Sequence, residues 1–201
     1  MTERSGSMKK VFLFLITLLL ISNICFATKI EFKNEKYQYK TFTGVNSEAF
    51  MTAPSHWNQY YPSNRGKVKF LMFLRAPDER AFAAILREEE WLPFNDISEM
   101  TPYQIYSMSV NDELSLKQNF APDSVVEVDR DNGRWGGHNG VKYFALGDIK
   151  NTSFPPGTYV HHAIKFIHNH RIHTIKVFFD LQLLNCIDVN AIINGVILPS
   201  S

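Results

Sequence analysis

The chain of 201 residues has only two cysteines, and that scarcity bounds its covalent architecture. Cys25 lies in an apolar leader, so removing that leader leaves Cys186 alone and excludes an intramolecular disulfide. Cys186 sits among Leu183, Leu184 and Ile187, company that suits an inert small hydrophobe. Stability has to come from burial. An excess of one charge sign is missing too, since 21 Lys and Arg face 20 Asp and Glu. Without basic clusters there is no electrostatic footprint for a phosphate backbone, and nucleic acid is excluded as an expected partner. Catalytic signatures are equally scarce. The chain has no Gly-x-Ser-x-Gly elbow, no phosphate loop ending in Gly-Lys-Ser/Thr and no His-Glu-x-x-His pair.

What is present begins with the leader. Lys9 and Lys10 precede the apolar run Val11–Ile21, and Cys25-Phe26-Ala27 places small residues at −3 and −1. This pattern predicts a secretory signal peptide over residues 1–27, with Met8 as an alternative start and the mature chain beginning near Thr28. Ile24 stands where a lipoprotein signal needs a small residue before its cysteine. An uncleaved anchor needs about 20 apolar residues, and Ser22-Asn23 interrupts a run already shorter than that. The expectation is an exported protein, periplasmic or extracellular, touching the membrane only through its signal before cleavage.

Residues 28–201 read as a single domain, because no repeat, low-complexity tract or long linker divides them. At that size a domain buries roughly 70% of its unfolded surface, enough for one core. Short strands are expected over Ile30–Phe32 and Tyr37–Phe42, then a short helix or irregular cover over Glu48–Tyr61, then a strand over Lys67–Leu74. Asp78–Trp91 is expected as a helix, with Pro77 and two acids at its start and a stripe of Ala81, Phe82, Ile85 and Leu86. Its closing run, Glu88-Glu89-Glu90, reads as a solvated face. Tyr103–Val110 fits a helix or a strand, and its β-branched and aromatic content favours the strand, with Asn111 capping a helix from Asp112 to Asn119.

The last third reads as β. Val125–Asp129 alternates, Asp131–Gly140 supplies turn residues, and Val141–Leu146 returns. Tyr159–Ile167 and Ile172–Leu181 predict a hairpin with Asn169-His170 at its turn. That register pairs Phe166 with His173, Ile164 with Ile175 and His162 with Val177 on one face, while Ala163/Lys176 and Lys165/Thr174 share the other. Ile167, Ile172 and Phe178 also fall on that second face, so another element is expected to cover it. Asp188 then caps a closing helix, Val189–Asn194, stopped by Gly195. The fold class is α+β: an antiparallel sheet with helices packed on it.

The spacing Phe50, Pro54, Trp57, followed by a strand, a middle helix, two antiparallel hairpins and a terminal helix, resembles the PsbP/DcrB-like family. His56 stands where those members usually carry glycine before the tryptophan. The resemblance covers about residues 50–198 and implies a non-catalytic exported accessory module that binds or stabilises a partner, here another envelope or secreted protein. It carries over no catalytic set.

Two constellations could hold chemistry. Arg134, Trp135 and His138 hang on the glycine-rich stretch 131–140 and offer a cation, a stacking platform and a titratable ring. With Trp57 they form the expected ligand or partner surface. Five histidines fall within one hairpin, and His162, His168, His170 and His173 could supply two or three imidazoles to Zn or Cu. Cross-strand packing is the plainer reading of those rings, and then no cofactor is implied. A hydrolase of unnamed substrate stays open as a third alternative, since no catalytic residue can be chosen from spacing alone.

Overall fold

The computed structural model describes residues 35–64, 66–118, 120, 127–149 and 153–199. The leader through Ala27, the strand expected over Ile30–Phe32 and the first residues of Val125–Asp129 lie outside the described residues. Strands β1 (Tyr39–Thr43) and β2 (Phe50–Pro54) form an antiparallel pair. Seven more strands make one antiparallel sheet: β3 (Asn58–Tyr60), β4 (Val68–Arg75), β5 (Ala81–Glu88), β6 (Glu127–Trp135), β7 (His138–Asp148), β8 (Thr158–His168) and β9 (Arg171–Asp180). Their spatial order is β3-β4-β5-β9-β8-β7-β6. The helices are α1 (Pro102–Lys117) and the short α2 (Val189–Asn194). The molecule is mostly antiparallel β with few helices.

The hairpin β8–β9 has the expected register, with Phe166 opposite His173, Ile164 opposite Ile175 and His162 opposite Val177. Asn169 and His170 both take positive φ, 49° and 58°. Two such residues match the right-handed twist of the flanking strands, and this holds the register. Asp188 Oδ1 accepts from the Ala191 N–H at 2.9 Å, so α2 starts where its cap predicts.

Four expectations are corrected. Residues 78–91 hold no helix. Glu79 turns at φ 61°, the Ala76 and Ala81 backbones close the turn at 2.8 Å, and β5 follows. This strand lies between β4 and β9, with Ala83 and Ile85 buried on one face and Ala84 on the other. A strand buried on both sides reads as a continuous apolar run, which periodicity alone does not separate from a helix. Tyr103–Val110 belongs to α1, and Asn111 is interior to that helix. Thr101 and Gln104 bond reciprocally at its start: the Thr101 N–H donates to Oε1 of Gln104 at 2.8 Å, and the Gln104 N–H donates to Oγ1 of Thr101 at 3.3 Å. That is a capping box with Pro102 at the first helical position. Residues 48–61 hold strands β2 and β3, with a turn between them, and no helix. The stretch 131–140 is ladder almost throughout, with Gly136 and Gly137 (φ 53° and 90°) alone between the paired Trp135 and His138.

Both faces of the sheet are covered. Ile85, Ile164, Phe166, Ile175, Val177 and Phe179 pack beneath β1–β2, α2 and the closing segment, where Met51, Ala53, Leu183, Ile192 and Leu198 join the same core. Backbone bonds between Phe50 and Ile197, 2.9 Å in each direction, tie β2 to that segment. Gly195 lets it approach, because a Cβ there would meet the Thr52 Cβ at 2.5 Å. On the opposite face Ile97, Met100, Ile105 and Met108 close over Val141, Tyr143 and Ala163. That covers part of the face, while Phe178 packs separately against Phe82, Phe154 and Tyr159.

Candidate functional site

Trp135 and Trp57 are core residues, 7% and 2% exposed, so their rings are not displayed on the surface. The Trp135 ring stacks on Phe166 with centroids 4.5 Å apart, and its indole N–H donates to the Ile193 carbonyl at 2.9 Å. It therefore seals the sheet against the end of α2. Arg134 is exposed and reaches back to the Gly137 carbonyl at 3.2 Å. His138 is half-buried over the same aromatic stack.

The hairpin histidines do not converge as a set. His162 lies edge-on to Phe144, centroids 4.9 Å apart, and burial pulls its pKa down. His170 stacks on Trp91 at 4.9 Å and Nδ1 donates to the Leu92 carbonyl at 3.1 Å. His168 and His173 do meet, with ring centroids 5.6 Å apart, and their third neighbour is His138. Nδ1 of His168 lies 3.2 Å from Nε2 of His138. Nδ1 of His173 donates to the Arg171 carbonyl at 3.0 Å. Burial first, set against that bond, brings its pKa down to about 4. Among the described residues no group of three or more His, Cys, Asp or Glu could hold a metal ion.

A further set of polar side chains lies beneath α1. A cavity of about 210 Å³ opens there, with Lys165, Lys176, Thr174, His161 and Tyr143 in the walls beside Glu88 of β5 and Asp112 of α1. Strand alternation explains the set, because β8 and β9 point these residues at the face that α1 covers. Lys165 Nζ donates to Oδ1 of Asp112 at 2.9 Å and lies 3.4 Å from Oε1 of Glu88. One buried ammonium thus occupies both carboxylates, as a desolvated charge requires. Among the described residues no carboxylate comes within ion-pair distance of Lys176. Burial, and then the Lys165 charge, lowers its pKa. His161 is 6% exposed, and its Nε2 has no hydrogen-bond partner among the described residues. Burial chiefly, with smaller pushes from Lys176 and His162, brings its pKa down to about 3, so the ring is neutral. Spacing alone puts Lys165 and Lys176 on the second face of the hairpin. A cover over that face was expected, and the structure shows that α1 supplies it.

The roof itself displays apolar surface. Positions 105, 108 and 112 face the sheet, and positions 103, 106 and 114 fall on the opposite side at 100° per residue. There Tyr103, Tyr106 and Leu114 are 77%, 58% and 54% exposed.

No family model matches the chain, and no curated protein matches it either. Among solved structures it is similar to the solution structure of cyanobacterial PsbP (CyanoP) from Synechocystis sp. PCC 6803, at 10% sequence identity and a TM-score of 0.48. The match covers 80% of this chain and 92% of that one. The likeness concerns the fold alone.

Proposed function

We propose that the chain is an exported, non-catalytic binding module that associates with another envelope or secreted protein through the outer face of α1. The supporting observation is the second apolar stripe of that helix. Its inner stripe already packs on the sheet, yet Tyr103, Tyr106 and Leu114 stand exposed on the other side. Tyrosine combines a large apolar ring with a polar tip and is enriched where proteins meet. Export rests on the leader Met8–Ala27. Among the described residues no helix is long and apolar enough to cross a membrane.

A photo-crosslinking residue placed at Tyr106 in the native host is expected to capture one discrete partner. The same residue at exposed Lys40 on β1 should capture none. Recovery of only free monomer from the Tyr106 position refutes the reading. The mature N-terminus is expected at Thr28 by mass spectrometry, and mature material that still begins at Met8 would refute export by cleavage.

One spacing favours a second reading, transition-metal binding. The facing nitrogens of His138 and His168 are 3.2 Å apart, close to what two ligands at roughly 2 Å from one tetrahedral ion subtend. Zn or Cu held there would leave positions open for water. Tag-free protein titrated with either ion should show saturable uptake that His168→Ala abolishes. Uptake unchanged in that variant removes the reading.

A further inference from the structure

The floor of the cavity beneath α1 is one face of the sheet, where the apolar Val68, Leu86 and Ala163 lie among Lys176, Thr174 and His161; Ala163 is the cross-strand partner of Lys176, and Leu86 that of Thr174. The acids are already committed, since Glu88 and Asp112 share Lys165. Lys176 is left as a cation with no close counterion among the described residues, and His161 as a buried ring with an unpartnered nitrogen. A buried nitrogen without a partner is costly, so His161 Nε2, with the half-buried Lys176 ammonium on the same face, signals an occupant that completes them. A pocket that is largely apolar with a few convergent polar groups is the usual form of a small-molecule site.

We propose that this cavity binds a small monocarboxylate with a short apolar tail, its carboxylate paired with Lys176 and its tail against Val68, Leu86 and Ala163. Neutral His161 donates or accepts one hydrogen bond as its tautomer requires, and Thr174 lies on the same face. The local charge of Lys176 selects the anion. Glu88 and Asp112 are held at ion-pair distance by Lys165 and act on Lys176 only from farther away, so a carboxylate beside Lys176 supplies the close counterion it lacks. Asp112 Oδ2, which has no partner among the described residues, disfavours a second negative group at the α1 side and limits the occupant to one charge. This inference stands apart from docking on the outer face of α1, and neither depends on the other.

The probe is sodium pentanoate, titrated calorimetrically into tag-free full chain, with pentanamide as its uncharged counterpart. One-to-one saturable binding of pentanoate is expected, with pentanamide at least about tenfold weaker. Lys176→Met should weaken pentanoate at least about tenfold, while Lys36→Met on the exposed N-terminal stretch should leave it unchanged. Equal affinity for the two probes, insensitivity to Lys176→Met, or no saturation by about 10 mM overturns the proposal. A measurement on the wild-type chain covers a variant that does not fold. After reductive ¹³C-methylation the Lys176 signal should move with pentanoate while the signals of lysines outside the cavity stay, and a stationary Lys176 signal is a refutation.

Discussion

At the scale of single residues, buried polar groups set the acid limits of the protein. Asp96 joins the Ile97–Glu99 turn to the start of β7. Its Oδ1 accepts from the Ser98 backbone and hydroxyl and from Nδ2 of Asn139, and its Oδ2 accepts from the Asn139 N–H at 3.0 Å. Burial opposes ionisation, but these bonds win and hold its pKa well below the usual carboxylate range. A carboxyl depressed in the folded state contributes stability that is present above its unfolded pKa, about 4, and is lost as pH falls below it. Asp96→Asn keeps the shape and removes the charge, and should cost about 1–3 kcal/mol at pH 7 by urea titration. The histidines act in the same direction at higher pH. His161 and His173 are held neutral, with folded pKa values of about 3 and about 4. The unfolded chain takes up their protons first as pH drops through about 6.5. Each then removes up to about 1.4 kcal/mol of stability per pH unit until its folded value is reached. His161→Leu should flatten the fall of the urea midpoint between pH 6.5 and 5. An unchanged slope would show that the ring is not buried as described.

Elements show what the sequence made legible and where it misled. The β8–β9 hairpin was readable because its apolar residues fall on one face in a single register, and the turn residues Asn169 and His170 tolerate positive φ. The cap of α2 was readable for a similar reason, since Asp188 acts over three residues. The strand β5 was not. Its Ala, Leu and Glu content favours helix locally, and the cross-strand partners Ala83–Val177 and Ile85–Ile175 that decide the matter lie far along the chain. Ile85→Ala should therefore cost about 2–5 kcal/mol as a core deletion, far more than a surface helix position would lose. At α1 the local signal was present and outweighed: Thr101-Pro102-x-Gln104 is a helix start, whereas β-branched and aromatic content pointed to strand. Thr101→Ala is expected to destabilise by about 1 kcal/mol. It should loosen the roof of the cavity first, visible as faster amide exchange in α1 than in β8. As for the site, the ladder exposed Lys165 and Lys176 as face-mates, but their enclosure depends on a helix whose course spacing does not encode.

Across the whole molecule, the sheet joins two meanders. Strands β3–β5 follow one another, strands β6–β9 run back in reverse order, and the seam lies between β5 and β9. The outer edges are modest. One is the three-residue β3 and the other is β6, which carries exposed Asp131 and Arg134; short or charged edges resist pairing with other chains. The seam is different, because β5 buries both faces and would offer a long apolar edge if β9 were missing. Removing residues 171–201 should therefore give an aggregating product by size-exclusion chromatography, with no cooperative melt. Until synthesis reaches Asp180, the open edge of β5 lacks its partner strand. A polypeptide arranged this way finishes late: its two halves stay strangers until almost the last residues emerge, which suits a chain that must remain threadable before it settles.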